Sequence, residues 1–394
     1  LVIVKRPTGV SPEFLARYFN SPAGKMASAA EVRGVTRQTL NTQKIEQASV
    51  PVPPLNEQKR IVAKIEALQA RSDAAREALD AIPPLLEQFR QSVLAAAFRG
   101  DLTKKWREAH PEVEPASMLL ERIRAERRRR WEAANPKKKY VEPGPVDPSG
   151  LPALPEGWCW AAMEELTSAE APVVYGIILP GPHVEGGVPF VRPADIRNGH
   201  VELDALPRTS PEIAAKYRRA ALLPGDLVFS IVGTIGKWLI APEWLNGANI
   251  TQSSVRIRTL DPLTSEFVLR GLQAPVVAQQ MALMAFGNAV QRLNVEDVRR
   301  LALPLPPWPE WGEMARVIRL ALATVDTQRS RSEELAVGLE SLNQSILAKA
   351  FRGELVPQDP SDEPASALLE RIREAREESE ATSPSRRRKG AASR

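Results

Sequence analysis

At 394 residues the chain is too long for one ordinary domain and suits two or three. Hydrophobic residues at 43% and charged residues at 26% exclude a wholly disordered or wholly membrane-embedded protein. The net charge of +5 suits a polyanionic partner without demanding one, and a single cysteine, Cys159, excludes an internal disulfide framework and a cysteine-based zinc site.

The 35 prolines exceed the usual share and are expected to punctuate domain borders. No apolar run approaches the roughly 20 residues that cross a bilayer. The best candidate, Leu222 to Ile240, is broken by Pro224, Asp226 and Lys237. Without a signal pattern after Leu1, a soluble, cytoplasmic protein is expected.

An internal repeat organises the chain. Ser92-Val-Leu-Ala-Ala-Ala-Phe98-Arg-Gly-Asp-Leu102 returns 253 residues later as Ser345-Ile-Leu-Ala-Lys-Ala-Phe351-Arg-Gly-Glu-Leu355. The same interval relates Glu13-Phe14 to Glu266-Phe267, Leu40-Asn41 to Leu293-Asn294, and Pro51-Val-Pro-Pro54 to Pro304-Leu-Pro-Pro307. So long a period indicates two copies of a domain-plus-helix unit rather than a solenoid. The second unit begins near Pro155 while Leu1 aligns near Ser254. Residues 1–55 are therefore expected to be the C-terminal part of a first domain that lacks its front portion.

Residues 56–130 are expected to form the first helical region. From Glu57 to Phe98 apolar or small residues recur in seven-residue steps: Ile65, Ser72, Leu79, Leu86 and Val93 at one position, Leu68, Ala75, Ile82, Phe89 and Ala96 at another. Pro83-Pro84 should kink this helix, because proline removes a hydrogen bond and clashes with the preceding turn. Residues 131–154 follow as a linker, flanked by the basic runs Arg127 to Arg130 and Lys137 to Lys139. Those runs could touch phosphates or simply end a solvated helix.

From 155 to 308 short β-rich stretches take over, with Val188 to Arg192, Asp226 to Val232 and Thr251 to Arg258 as strands and Glu266 to Ala285 as a helix. This is a mixed α/β domain. Residues 309–378 repeat the helical region, with Ile318, Val325, Ser332, Leu339 and Ile346 at one seam position and Ala321, Gln328, Leu335, Leu342 and Lys349 at the other. The two long helices are expected to form an intramolecular antiparallel coiled coil, paired through Leu79, Leu86, Phe89, Val93, Leu335, Leu339, Leu342 and Ile346. A basic tail, 379–394, is expected to be disordered.

Several phrases of the second domain carry a family resemblance. Gly187-Val-Pro-Phe-Val-Arg192-Pro-Ala-Asp-Ile-Arg197-Asn-Gly199, Leu223-Pro-Gly-Asp-Leu-Val-Phe-Ser-Ile-Val-Gly233-Thr-Ile-Gly236-Lys237, Asn249-Ile-Thr-Gln252-Ser and Gly287-Asn-Ala-Val-Gln291-Arg-Leu-Asn294 resemble the target recognition domains of type I restriction-modification specificity subunits. Pro51-Val-Pro-Pro54-Leu-Asn-Glu57-Gln and Ala97-Phe98-Arg-Gly100-Asp-Leu102 are similar to the borders of that family's helical regions. The resemblance implies a non-catalytic protein that reads a split double-stranded DNA target, one half-site per recognition domain, with the helix pair as ruler. It also implies docking of methyltransferase subunits and of restriction (motor-nuclease) subunits. This chain needs no cofactor; S-adenosylmethionine, ATP and Mg would belong to those partners.

DNA reading calls for cations toward phosphates and forked donors or amides toward base edges. Arg192, Arg197, Arg218, Arg219, Lys237 and Arg292 are the candidate charge contacts, and Asn198, Gln252, Gln291 and Asn294 the candidate base readers. Gly233 and Gly236 around Thr234 suit a turn near a phosphate, or a plain turn. For each residue an ordinary solvated or structural role is the alternative.

Catalytic motifs fail on inspection. Gly233-Thr-Ile-Gly236-Lys237-Trp238 lacks the upstream glycine and the Ser or Thr of a phosphate loop. Leu305-Pro-Pro-Trp308 has leucine where an amino-methyltransferase has asparagine. Pro193-Ala-Asp195 with Glu202-Leu-Asp204 lacks a nuclease lysine, and His110, His183 and His200 are too scattered for a metal or a base. The other class of function is a coiled-coil scaffold that joins proteins without reading DNA sequence.

Overall fold

Two compact units divide the chain, residues 1–85 with 327–394, and residues 86–326. The computed structural model describes residues 9–29, 49–260 and 262–382. The Leu40-Asn41 member of the repeat, the front of the first domain at Leu1 and the tail from 383 onward lie outside the described residues. The helix Ala365–Thr382 runs past Ser379, where the disordered tail was expected to begin.

In the second unit, nine short strands form three sheets among the described residues. β1 (Cys159–Ala162) pairs with β9 (Ala302–Leu305) in an antiparallel ribbon that closes the domain end to end. β2 (Val174–Tyr175), β8 (Ser254–Ile257), β5 (Leu227–Ser230) and β6 (Trp238–Ile240) make an antiparallel sheet in the order β2-β8-β5-β6. β4 (Arg208–Thr209), β3 (Val188–Val191) and β7 (Asn249–Ile250) form the third, in which β3 and β7 run parallel. The predicted strands are each present but shorter, and the brief partners β2, β4, β6 and β7 carry too few residues to show an alternation.

The continuous apolar run of β5 has a structural cause. Leu227 and Phe229 enter a core with Val255, Ile257, Phe267, Leu303, Trp311 and Met314, whereas Val228 enters a second core with Leu222, Leu239 and Ile250. A strand buried on both faces cannot alternate polar with apolar. Each such fully buried side chain contributes about 1.5–3 kcal/mol of apolar burial.

The helix expected over Glu266 to Ala285 is two helices, Pro262–Gln273 and Pro275–Met284. Pro275 opens the second at a position where its missing N–H has no partner to lose, and Ala274 before it is extended, at φ −71° and ψ 141°. The same logic acts at Pro83-Pro84. The long helical region stops at Asp80 and restarts at Ile82, with both prolines in the new first turn.

In the first unit the two long helices pack antiparallel. Ile61 and Ile65 pack with Ile346, Leu347 and Ala350 beside the pair that Arg60 makes with Asp362 beyond the helix end, at 2.7 Å, and further along Arg76 reaches Glu340 at 3.0 Å, so one chain direction opposes the other. Between these ion pairs the same apolar side chains close a small core against Phe14, which stands edge-on to Phe351.

The seam register corrects the sequence reading. On the helix Trp308–Phe351 the first seam position holds, with Ile318, Val325, Ser332 and Ile346 buried and Leu339 half-buried. The second position lies one residue further on, at Leu322, Arg329, Ala336, Asn343 and Ala350, all buried or half-buried. Leu335 and Leu342 are therefore 60% and 52% exposed, and on the other helix Phe89 is 49% exposed. Positions three and four ahead of a seam residue flank it on either side, and where Ala336 and Asn343 take the inner flank Leu335 and Leu342 face solvent. Of the remaining pairing residues Val93 is buried, and Leu79 and Leu86 are half-buried.

The linker is held rather than loose. Tyr140 is buried, its hydroxyl accepting from Arg127 Nη1 at 2.6 Å, and Arg127 also donates to Thr167 O. Arg128 pairs with Glu132 and Glu142, and Arg129 and Arg130 both pair with Glu126. Within the first basic run Arg127 is thus buried and held, whereas Arg128, Arg129 and Arg130 are exposed side chains in surface ion pairs.

Candidate nucleic-acid interface

The strand directions of the second unit place several loop ends on one edge. Because β3 and β7 are parallel, with Val191 beside Ile250, both leave the sheet at the same end, into Arg192 and Thr251-Gln252. β5 finishes at Ser230 opposite Ser254, the start of β8, and β6 begins at Trp238 opposite Phe229. The hairpin 231–237 therefore emerges at that end too. Backbone bonds stitch the loops together: Ile231 N–H donates to Ser253 O, Leu293 N–H to Ile231 O and Gly233 N–H to Gln291 O, each at 2.9 Å.

This edge gathers Arg192, Arg197, Asn198, Thr234, Lys237, Gln252, Gln291, Arg292 and Asn294. Arg218 and Arg219 stand elsewhere, on the turn Arg218–Ala220 packed beside β2 and β7. Arg219 lines a recess of about 420 Å³ with Tyr175, Lys216 and Arg299.

Several of the gathered side chains are already engaged. Arg192 forms a fork to Asp195, at 2.7 Å from Nη2 and 3.0 Å from Nε, which raises its pKa further above the usual arginine range. Lys237 Nζ donates to Pro193 O at 2.9 Å and Ile196 O at 3.4 Å, so this lysine ties the hairpin to the 193–197 loop. Gln291 donates to Gly287 O at 2.8 Å, and Asn294 caps the helix Val295–Arg300, its N–H donating to Asp297 at 3.1 Å. Arg197, Asn198, Thr234 and Arg292 are exposed and have no side-chain hydrogen bond or ion pair to any described residue.

The glycine-threonine turn is a hairpin. Gly233 and Gly236 have φ of 77° and 99°, a region closed to most side chains. Ser230 holds the turn, its hydroxyl donating to Thr234 O at 2.6 Å and accepting from Lys237 N–H at 2.8 Å.

Sequence reasoning gave no part at this edge to Asp195 or to Ile178 and Leu179, and none in strand packing to Asp226. Asp195 fixes Arg192. Asp226 is buried and accepts a fork from Arg258 at 2.6 and 2.7 Å, pinning the far ends of β5 and β8. Gln252 approaches the Ile178 carbonyl, and Ile178 and the next residue, Leu179, are 44% and 79% exposed. The proline-glycine context of Leu179 marks a loop but gives no sign of its exposure. Among the described residues no three acidic, His or Cys side chains group as metal ligands, and no helix is long and apolar enough to cross a membrane.

Residues 2–83 match the family described as the type I restriction modification DNA specificity domain. Over 371 residues the chain is 30% identical to the type I restriction enzyme EcoBI specificity subunit of Escherichia coli, covering 91% of this chain and 71% of that protein. To the EcoKI specificity subunit of Escherichia coli strain K12 it is 26% identical, covering 92% and 71%. A solved chain from work on assembly and conformational transition of the type I R-M system aligns with a TM-score of 0.61 at 21% identity, covering 89% of this chain and 74% of that one. The last likeness concerns the fold alone.

Proposed function

This chain belongs to the specificity subunits of type I restriction-modification systems, and from that premise we propose that the loop edge of its 155–308 domain reads one half of a split DNA target. The family's part is DNA sequence specificity, and catalysis lies in partner subunits. The proposed division of the chain follows the repeat, with residues 1–55 belonging to a first recognition domain, 56–130 and 309–378 forming helical spacers, 131–154 a linker, and 155–308 the second recognition domain. The helical spacers dock methyltransferase and motor-nuclease subunits, which bring S-adenosylmethionine, ATP and Mg to the assembly.

The observation that carries the DNA reading is the convergence of uncommitted Arg197 and Arg292 with exposed Asn198, Gln252 and Gln291 at one end of the sheets. Cations position a duplex through its phosphates, and amides can address base edges between them. Engaged residues have a place in the same reading. A loop that must present a few atoms to a groove is more selective when its own Arg192, Lys237 and Asn294 hold it still.

The test is selection of duplexes from a random library by the full chain at two salt concentrations. Sequence enrichment that weakens steeply with salt supports the proposal. A flat profile would reassign the chain to protein scaffolding.

A further inference from the structure

Next to the candidate base reader Gln252 the backbone is locked in an unusual way. Gly176 N–H donates to Thr251 O at 3.3 Å, Ile177 N–H to Ile250 O at 2.7 Å, and Gln252 N–H returns to Ile177 O at 3.0 Å. A Cβ at Gly176 would stand 1.9 Å from Ile250 O, so only glycine allows this approach. The segment that follows is stiffened by Pro180, whose carbonyl accepts from the Thr209 hydroxyl at 2.6 Å. Ile178 and Leu179 are thereby presented to solvent on a fixed support.

The Gln252 amide is oriented by the same segment. Its polar neighbours are satisfied with Nε2 inward, donating to Ile177 O at 2.6 Å and Ile178 O at 3.0 Å. Both N–H donors are then spent, and the group left for a ligand is the Oε1 acceptor. A glutamine with a free amide can grip adenine through N6 and N7 together. This one can accept a hydrogen bond but has no N–H left to offer N7.

We propose that Gln252 and Leu179 together read one A·T pair in the major groove, Gln252 Oε1 accepting from the adenine 6-amino group and Leu179 packing on the thymine 5-methyl. The inference rests on the DNA-reading function proposed above. Cytosine also offers an amino group to an acceptor, but a G·C pair carries no methyl for an exposed leucine to cover. Free Arg292 and Arg197 on the same edge supply charge for a duplex backbone rather than for an apolar protein face.

The experiment uses the full chain and base analogues placed singly in the duplex that it selects from a random library. With the unaltered chain, one A·T position should lose about tenfold in affinity when purine replaces adenine and a similar factor when uracil replaces thymine. At that same position 7-deazaadenine should be tolerated, since N7 is not contacted. Leu179→Ala should bind thymine and uracil duplexes alike while staying sensitive to purine. Gln252→Ala should lose the sensitivity to purine. Loss with 7-deazaadenine, or undiminished uracil sensitivity in Leu179→Ala, overturns the assignment. Enrichment of only G·C pairs would do the same. Absence of any enrichment would instead remove the DNA-reading function itself.

Discussion

Trp158 Nε1 donates to Glu310 Oε2 at 3.0 Å, joining the entrance of the 155–308 domain to the first turn of the second long helix through a buried carboxylate. The other oxygen of Glu310 accepts from the Thr103 hydroxyl at 2.6 Å and from the Arg107 guanidinium. Three segments distant in sequence thus meet on one side chain that is fully buried. Removing a buried charge while leaving its partners in place costs about 3–5 kcal/mol, and losing one charged hydrogen bond about 1.5–3 kcal/mol. Glu310→Ala should therefore destabilise the 86–326 unit strongly and Trp158→Phe less, as read from urea unfolding of the full chain. A Glu310→Ala midpoint within error of the parent would refute this role.

The helix pair makes a sharper forecast than its heptads alone. Leu342 and Leu335 are more than half exposed, so aspartate at either should change stability by no more than about 0.5 kcal/mol. Ile346→Ala and Leu347→Ala, in the core with Ile61 and Ile65, should each cost about 2–5 kcal/mol. Equal losses from both sets would restore the register read from sequence.

Why the sequence misled here, yet served well elsewhere, has a physical explanation. The repeat and the heptad spacing reveal long helices and one correct seam position, because burial of Ile318, Val325 and Ile346 leaves a seven-residue trace. The second position is ambiguous, since residues three and four ahead lie equally near the seam and only packing selects Ala336 over Leu335. At the candidate site the motif phrases named loops that the fold brings together at one edge. Their assembly at one edge depended on strand directions, above all the parallel β3–β7 pair, which no local pattern encodes. The engagement of Lys237 by Pro193 O, 44 residues away, was likewise beyond sequence reasoning.

Cys159 offers a pH-dependent check on the β1–β9 ribbon. Burial pushes its thiol up to about 11, with nearby Arg124 opposing the shift. The neutral thiol is the form that the fold favours, so this contribution to stability is present below the ordinary thiol pKa and is lost as pH rises through about 11. At pH 8 only about one thiol in a thousand is ionised, and Ellman's reagent should react far more slowly with the folded chain than with urea-unfolded chain. Equal rates in the two states would show that the ribbon does not shield Cys159.

The candidate cations should separate by how far the fold has already committed them. Arg197 and Arg292 face solvent with no side-chain partner among the described residues, so each is free to neutralise a phosphate and release counterions. Arg197→Ala and Arg292→Ala should each reduce the slope of log affinity against log salt by about 1, with little change in sequence preference. Arg192 differs because Asp195 holds it through two nitrogens. The pair brings little net charge to DNA, and Arg192→Ala should alter the slope by less than about 1. Lys237 differs again, since its ammonium bridges the hairpin to two carbonyls of the 193–197 loop. Lys237→Met should weaken discrimination among sequences, because it loosens the support of Arg197 and Asn198. Salt titrations of the four variants on selected and scrambled duplexes distinguish these roles. If all four gave the same slope change and the same loss of discrimination, the fold's engagement of Arg192 and Lys237 would have no bearing on how this edge meets DNA.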